Sequence, residues 1–243
     1  MIGMIKKIKM YYLIFFLTAI LFQAFPVVSH DKESLLMDHV KTSIKLADGQ
    51  VSKLIPEVLA IDGMSSHKVR HLLNNLCSLP GANYLEIGCW KGSTWVSALF
   101  GNDESITNAI AIDNWSEFGG PQREFLENCK SYLSKNKKQY YSADAFKINI
   151  NKLSQDPINV YFYDGHHSTL SQELALTYYD KILDDVFIFV VDDWNWDPVR
   201  AGTFEALRKL DYEILYSAEL PARFNGDREQ WWNGIYIAVL RKN

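Results

Sequence analysis

The feature that most constrains the fold is an alternation of short apolar runs with helical stretches that begins after Gly81. Runs at 84–88, 109–113, 139–143, 159–164 and 186–193 have strand length and are apolar almost throughout. That pattern suits strands covered on both faces rather than half-exposed ones. Between them, 93–100, 121–134, a short piece near 148–153 and 169–183 read as the crossover helices that parallel strands require. A helix over 199–210 and two further strands, 212–217 and 234–240, complete the series. The expectation is an α/β, Rossmann-like domain over 81–243: a seven-stranded, mainly parallel sheet with helices on both faces.

Residues 30–80 are predicted to be a helical extension. Leu35, Leu36, Val40 and Ile44, then Val69, Leu72, Leu73 and Leu76, recur at helical spacing, Ser65-Ser66 offers a helix start, and Pro80-Gly81 a stop. The first 29 residues differ from everything that follows. Lys6, Lys7 and Lys9 precede an apolar run over 11–28, and Val27-Val28-Ser29 offers a processing site, so this segment reads as a signal peptide or membrane anchor. Pro26 favours cleavage. The expected product is exported, secreted or anchored, and its membrane contact runs through this segment alone.

Removing that leader takes away three of the 25 basic residues and none of the 29 acidic ones, which moves the formal charge from −4 to −7. Nucleic acid is then a poor partner, since phosphate backbones demand clustered Lys and Arg. The one modest cluster, Lys135, Lys137 and Lys138, falls at an expected helix end. Cys77, Cys89 and Cys129 have neither metal-ligand spacing nor the density of a disulfide scaffold.

In a doubly wound sheet, ligands sit at the carboxyl ends of the strands. The first strand runs into Glu86-Ile87-Gly88-Cys89-Trp90-Lys91-Gly92-Ser93, a glycine-bearing turn that opens a helix. Asp113 ends the second strand and is suited to accept hydrogen bonds from both hydroxyls of a ribose; Asp144 follows the third and is suited to an adenine amino group, with Phe146 or Trp115 against the ring. Strands four and five end in Asp164-Gly165-His166-His167-Ser168 and Asp192-Asp193-Trp194. Three carboxylates at neighbouring strand mouths repel one another unless protonated, hydrogen-bonded or neutralised by a cation. Asp164, Asp192 and Asp193 are therefore candidate ligands for a hard divalent ion, Mg²⁺ first. Trp194, Trp196, Trp231 and Trp232 are candidates to line an acceptor pocket, and Asp227-Arg228-Glu229 to gate it.

Taken in order, these motifs resemble a class I S-adenosylmethionine (SAM) dependent methyltransferase over about 65–243, and among those the metal-dependent O-methyltransferases of catechol and macrocin type. The resemblance implies SAM contacts from Glu86, Gly88, Gly92, Ser93, Asp113 and Asp144, metal ligation by Asp164, Asp192 and Asp193, and methylation of a small hydroxylated acceptor. Two departures stand out. The glycine loop has the G-x-x-x-G form, and His167 occupies the position where catechol-type enzymes carry a basic Lys. His167, or His166 beside it, is accordingly the expected acceptor of the hydroxyl proton. Two other classes fit the glycine turn and Asp113: an NAD-dependent oxidoreductase, and a non-catalytic protein that keeps the fold and binds a nucleotide or SAM.

Overall fold

The computed structural model describes residues 32–134 and 137–243. The expected leader over 1–29 and Lys135 lie outside the described residues. No helix among the described residues is long and apolar enough to cross a membrane.

Three helices come first: α1 (Lys32–Asp48), α2 (Pro56–Leu59) and α3 (His67–Leu76). The Ser66 hydroxyl caps α3 by accepting from Val69 N at 3.3 Å, the role that its position before the apolar repeat suggests. Next come β1 (Ala82–Ile87), α4 (Ser93–Leu99), β2 (Ile106–Asp113), α5 (Gln122–Tyr132) and β3 (Lys138–Ser142). A 3₁₀ turn at Ile150–Lys152 leads into β4 (Ile158–Tyr163), α6 (Thr169–Thr177), β5 (Leu183–Val191), α7 (Asp197–Leu210), β6 (Glu213–Leu220) and β7 (Ile235–Arg241).

The seven strands form one sheet in the order β3-β2-β1-β4-β5-β7-β6. Pairings are parallel from β3 through β5, while β7 runs antiparallel to both β5 and β6. The chain moves outward from β1 to β3 and then crosses back to β4, so the strand order reverses between β1 and β4, and the crevice for a ligand opens there.

Alternation along the strands sends side chains to two apolar layers. Tyr84, Phe162 and Ile188 pack with Leu36, Val40, Leu72, Val96 and Phe125 of the helices α1, α3, α4 and α5. Leu85, Tyr161 and Phe189 pack instead with Ala175 and Leu176 of α6 and Val199, Ala206 and Leu207 of α7. Every residue of β1 is buried, as double-sided coverage requires. The extension and the sheet thus share a core: α1 lies against α3, and His39 Nε2 is 3.0 Å from the Leu76 carbonyl oxygen.

Candidate active site

The carboxyl ends of β1 and β4 meet almost backbone to backbone. Asp164 N donates to the Ile87 carbonyl at 2.8 Å and Gly88 N to the Ile112 carbonyl at 3.0 Å, so the loops after β1, β2 and β4 start from one tied point. Gly88 has φ +85°, and a Cβ there would lie 1.8 Å from the Asp164 carbonyl oxygen. Only glycine permits both that dihedral and that approach. Above this point opens a cavity of about 640 Å³, lined from the ends of β1, β2, β3, β4 and β5 and by Met64, Trp232 and Asn233. Its volume falls within the ~300–1,000 Å³ of small-molecule sites.

One end of the cavity is formed by β1 to β3. Asp113 lies on it, and its carboxylate anchors the glycine loop: Oδ2 accepts from Cys89 N at 2.8 Å and Trp90 N at 2.9 Å, and Oδ1 from Trp115 N at 2.7 Å. Ribose hydroxyls would have to share oxygens that already organise the turn. Asp144 accepts from Phe146 N at 3.0 Å and pairs with Lys147 at 2.9 Å, which holds its carboxyl below the usual range. Phe146 lines the cavity beside it. Trp115 does not; it packs on Phe125, with ring centroids 5.0 Å apart, and donates through Nε1 to the Trp90 carbonyl.

Three residues expected to touch a cofactor lie behind the wall. Glu86 is fully buried and does not line the cavity. Its two oxygens accept from Tyr84 OH and Thr94 Oγ1, both at 2.6 Å, and burial raises its carboxyl to about 7 against the lowering effect of those two bonds. Gly92 (φ +81°) faces Phe125, whose ring leaves a Cβ only 2.9 Å. Buried Ser93 presses on Gly63, where a Cβ would come within 2.0 Å of its Oγ.

The other end belongs to β4 and β5. Among the described residues, Asp164, His167 and Asp193 place one ligand atom each within 4.8 Å of one another, a grouping that could hold a metal ion. This differs from the three-aspartate set expected from the sequence. Asp192 lines the cavity and is only 2% exposed, but its Oδ1 accepts from the Asp193 amide at 2.8 Å. Desolvation, then repulsion from neighbouring carboxylates, raises the carboxyls of Asp164 and Asp192 well above the ordinary range.

His167 Nε2 sits 2.5 Å from Asp193 Oδ2, with its ring edge-on to Trp196 at 4.5 Å between centroids. That nitrogen is committed to the carboxylate, so the expected role of His167 as a free proton acceptor does not match its setting. His166 is exposed and its Nδ1 accepts from Ser168 N at 3.2 Å. In its neutral form such an imidazole carries its proton on Nε2 and presents a donor rather than a base.

Of the four tryptophans, Trp196 and Trp232 line the cavity. Trp194 stacks on Tyr236 at 4.3 Å in one apolar layer, and Trp231 is buried in the other. Asp227, expected to gate, is buried and locked to Arg223 at 2.7 Å. Sequence reasoning missed Asn233, whose side-chain amide donates to Asp193 Oδ1, and the cavity-lining Trp90, Phe118 and Met64. Trp90, Phe118, Asp193 and Trp232 all have positive φ, a costly conformation for such side chains that tends to collect at functional sites. No residue type announces that property in advance.

This architecture defines a class: the strand order, the antiparallel seventh strand and the glycine loop at the switch point are those of the class I methyltransferase fold. Particular solved structures share it. An O-methyltransferase from Bacillus cereus, solved in complex with SAH, is 12% identical with a TM-score of 0.55, over 88% of this chain and 94% of that one. The cofactor-bound protein Rv0187 from MTB is 12% identical with a TM-score of 0.53, over 90% and 94%. TrmN from Thermus thermophilus, also 12% identical, aligns with a TM-score of 0.53 over 77% of this chain and 52% of its own length. No protein-family model and no curated protein matches the chain.

Proposed function

We propose that this protein is a SAM-dependent methyltransferase that methylates a hydroxyl oxygen of a small acceptor with the help of a divalent cation. One observation carries the reading: a single cavity joins Asp144 and Phe146 at one end to Asp164, His167 and Asp193 at the other. A donor and an acceptor bound there would lie side by side. The Bacillus cereus neighbour, an O-methyltransferase in complex with SAH, supports the same assignment.

Asp144 and Phe146 would receive the adenine, Gly88 lets the loop approach the donor, and Asp113 holds that loop in place through two of its amides, Cys89 N and Trp90 N. Asp164, Asp193 and His167 fit a cation: two carboxylates and an imidazole converge, and among the described residues no Lys or Arg pairs with Asp164, Asp192 or Asp193. When bound, SAM supplies an electrophilic methyl and the cation a positive charge at the acceptor oxygen. The chain's own work is positioning and exclusion of water. Trp196 and Trp232 wall the acceptor end, and His166 offers its Nε2–H to a second oxygen of the acceptor. A rim of carboxylates repels phosphate, which favours a small molecule over nucleic acid.

Calorimetric titration of the full chain with SAM, NAD and buffer, each with and without divalent cation, tests the proposal. SAM should bind at one site and NAD should not. Binding of NAD alone would replace the reading with that of an oxidoreductase; SAM binding with no methyl transfer to any hydroxylated acceptor would leave a non-catalytic binding protein.

A further inference from the structure

Resting on the cation reading above, we propose that the rim is a mixed nitrogen and oxygen site, built from Asp164, Asp193 and Nε2 of His167, and selects a first-row transition ion such as Mn²⁺ or Fe²⁺ over Mg²⁺. Mg²⁺ takes oxygen ligands at strict octahedral geometry, with ligands in trans ~4.2 Å apart. The three ligand atoms here lie within 4.8 Å of one another, and one of them is an imidazole nitrogen. Nitrogen donors add most for Fe, Ni, Cu and Zn and least for Mg, while paired carboxylates keep Mn within range.

The neighbouring side chains are arranged to hold this set. Asp192 Oδ1 takes the Asp193 amide at 2.8 Å, and the left-handed backbone of Asp193 (φ +59°) turns the next carboxylate toward His167. Asn233 occupies Asp193 Oδ1, while Oδ2 faces His167 Nε2 in a contact that a cation between them would replace; Trp196 fixes the imidazole edge-on. Such outer partners orient the ligands of a metal and are themselves worth ten- to hundredfold in affinity. A second observation points to a cationic occupant. Asp192 is 2% exposed and lines the cavity, and among the described residues no Lys or Arg pairs with it. A carboxylate held beside two more, with His167 the one basic group paired to the set among the described residues, calls for positive charge or for water held by an ion.

Pulsed electron paramagnetic resonance of the full chain loaded with Mn²⁺ reads the nitrogen directly. The wild type should show ¹⁴N coupling from one imidazole, retained in His166→Ala and lost in His167→Ala. By calorimetry, Mn²⁺ should bind at least tenfold tighter than Mg²⁺, and His167→Asp should close that gap by making the set all-oxygen. Absence of ¹⁴N coupling in the wild type, or equal affinity for the two ions, overturns the inference, and that result needs no variant to fold. SAM titrated into the same samples keeps the two proposals apart: SAM binding without nitrogen ligation sinks only this one, and nitrogen ligation without SAM binding sinks only the methyltransferase reading.

Discussion

Replacing Gly88 by Ala separates two costs that one backbone position imposes. At φ +85° an alanine carries the left-handed penalty of ~1–2 kcal/mol. Its Cβ would also stand 1.8 Å from the Asp164 carbonyl oxygen and 2.5 Å from the carbonyl carbon, and neither can retreat without loosening β1 from β4. Forced packing of that kind adds ~1–3 kcal/mol, for a total of about 2–5 kcal/mol. Gly81 supplies the control, because it has φ +79° with nothing within 4 Å of an added Cβ. Gly81→Ala should therefore cost only the first ~1–2 kcal/mol, and the entropy each variant removes from the unfolded chain cancels in the comparison. Urea unfolding of both variants measures the difference, and SAM calorimetry on the folded proteins measures its consequence, since only Gly88→Ala shifts the loops against the cavity. Equal destabilisation in the two variants, with SAM affinity unchanged by Gly88→Ala, would refute the claim that close approach of β1 and β4 builds the site.

Burial raises the Glu86 carboxyl from its ordinary 4.5 to about 7, so the fold favours the protonated acid. The stability this confers is complete below about pH 4.5, is lost as pH climbs through about 7, and amounts to something on the order of 3 kcal/mol. Glu86→Gln should flatten stability over that window in urea unfolding at stepped pH; an unchanged profile would show that Glu86 ionises as it does in the unfolded chain. Phe146→Ala removes an aromatic ring placed beside Asp144 on the cavity wall, and SAM affinity should fall by ~1–3 kcal/mol, the worth of one base stacked on an aromatic ring. Unaltered affinity in calorimetry would move the adenine elsewhere. His167→Ala should slow methyl transfer at least a hundredfold while SAM still binds as in the wild type; full turnover in the variant would remove His167 from the active site.

Much of the scaffold was legible in the sequence because its signals are local. Continuous apolar runs marked β1, β2, β4 and β5 to within a few residues, whereas the edge strand β3 is polar and largely exposed; Ser66 marked the start of α3, and the order of acids at successive strand ends pointed to the cavity rim. Side-chain direction was less legible. Glu86 alternates with Leu85 and Ile87 along β1, so it enters the layer beneath α4 while its neighbours enter the other, and only the pairing with Tyr84 and Thr94 reveals that commitment. Adjacent Asp192 and Asp193 looked equivalent. A positive φ at Asp193 and a hydrogen bond between the two residues assign one to the ligand grouping and the other to its support. Asn233 came to the site through the antiparallel pairing of β7 with β5, a long-range register that no motif encodes.

The most direct test of the account is a crystal of the full chain soaked with SAM and Mn²⁺ and recorded at the manganese edge. The adenine should lie against Phe146 and Asp144, with an anomalous peak bonded to Asp164, Asp193 and His167 in the same cavity. A nucleoside bound away from the strand ends, or a peak that avoids all three side chains, would contradict it.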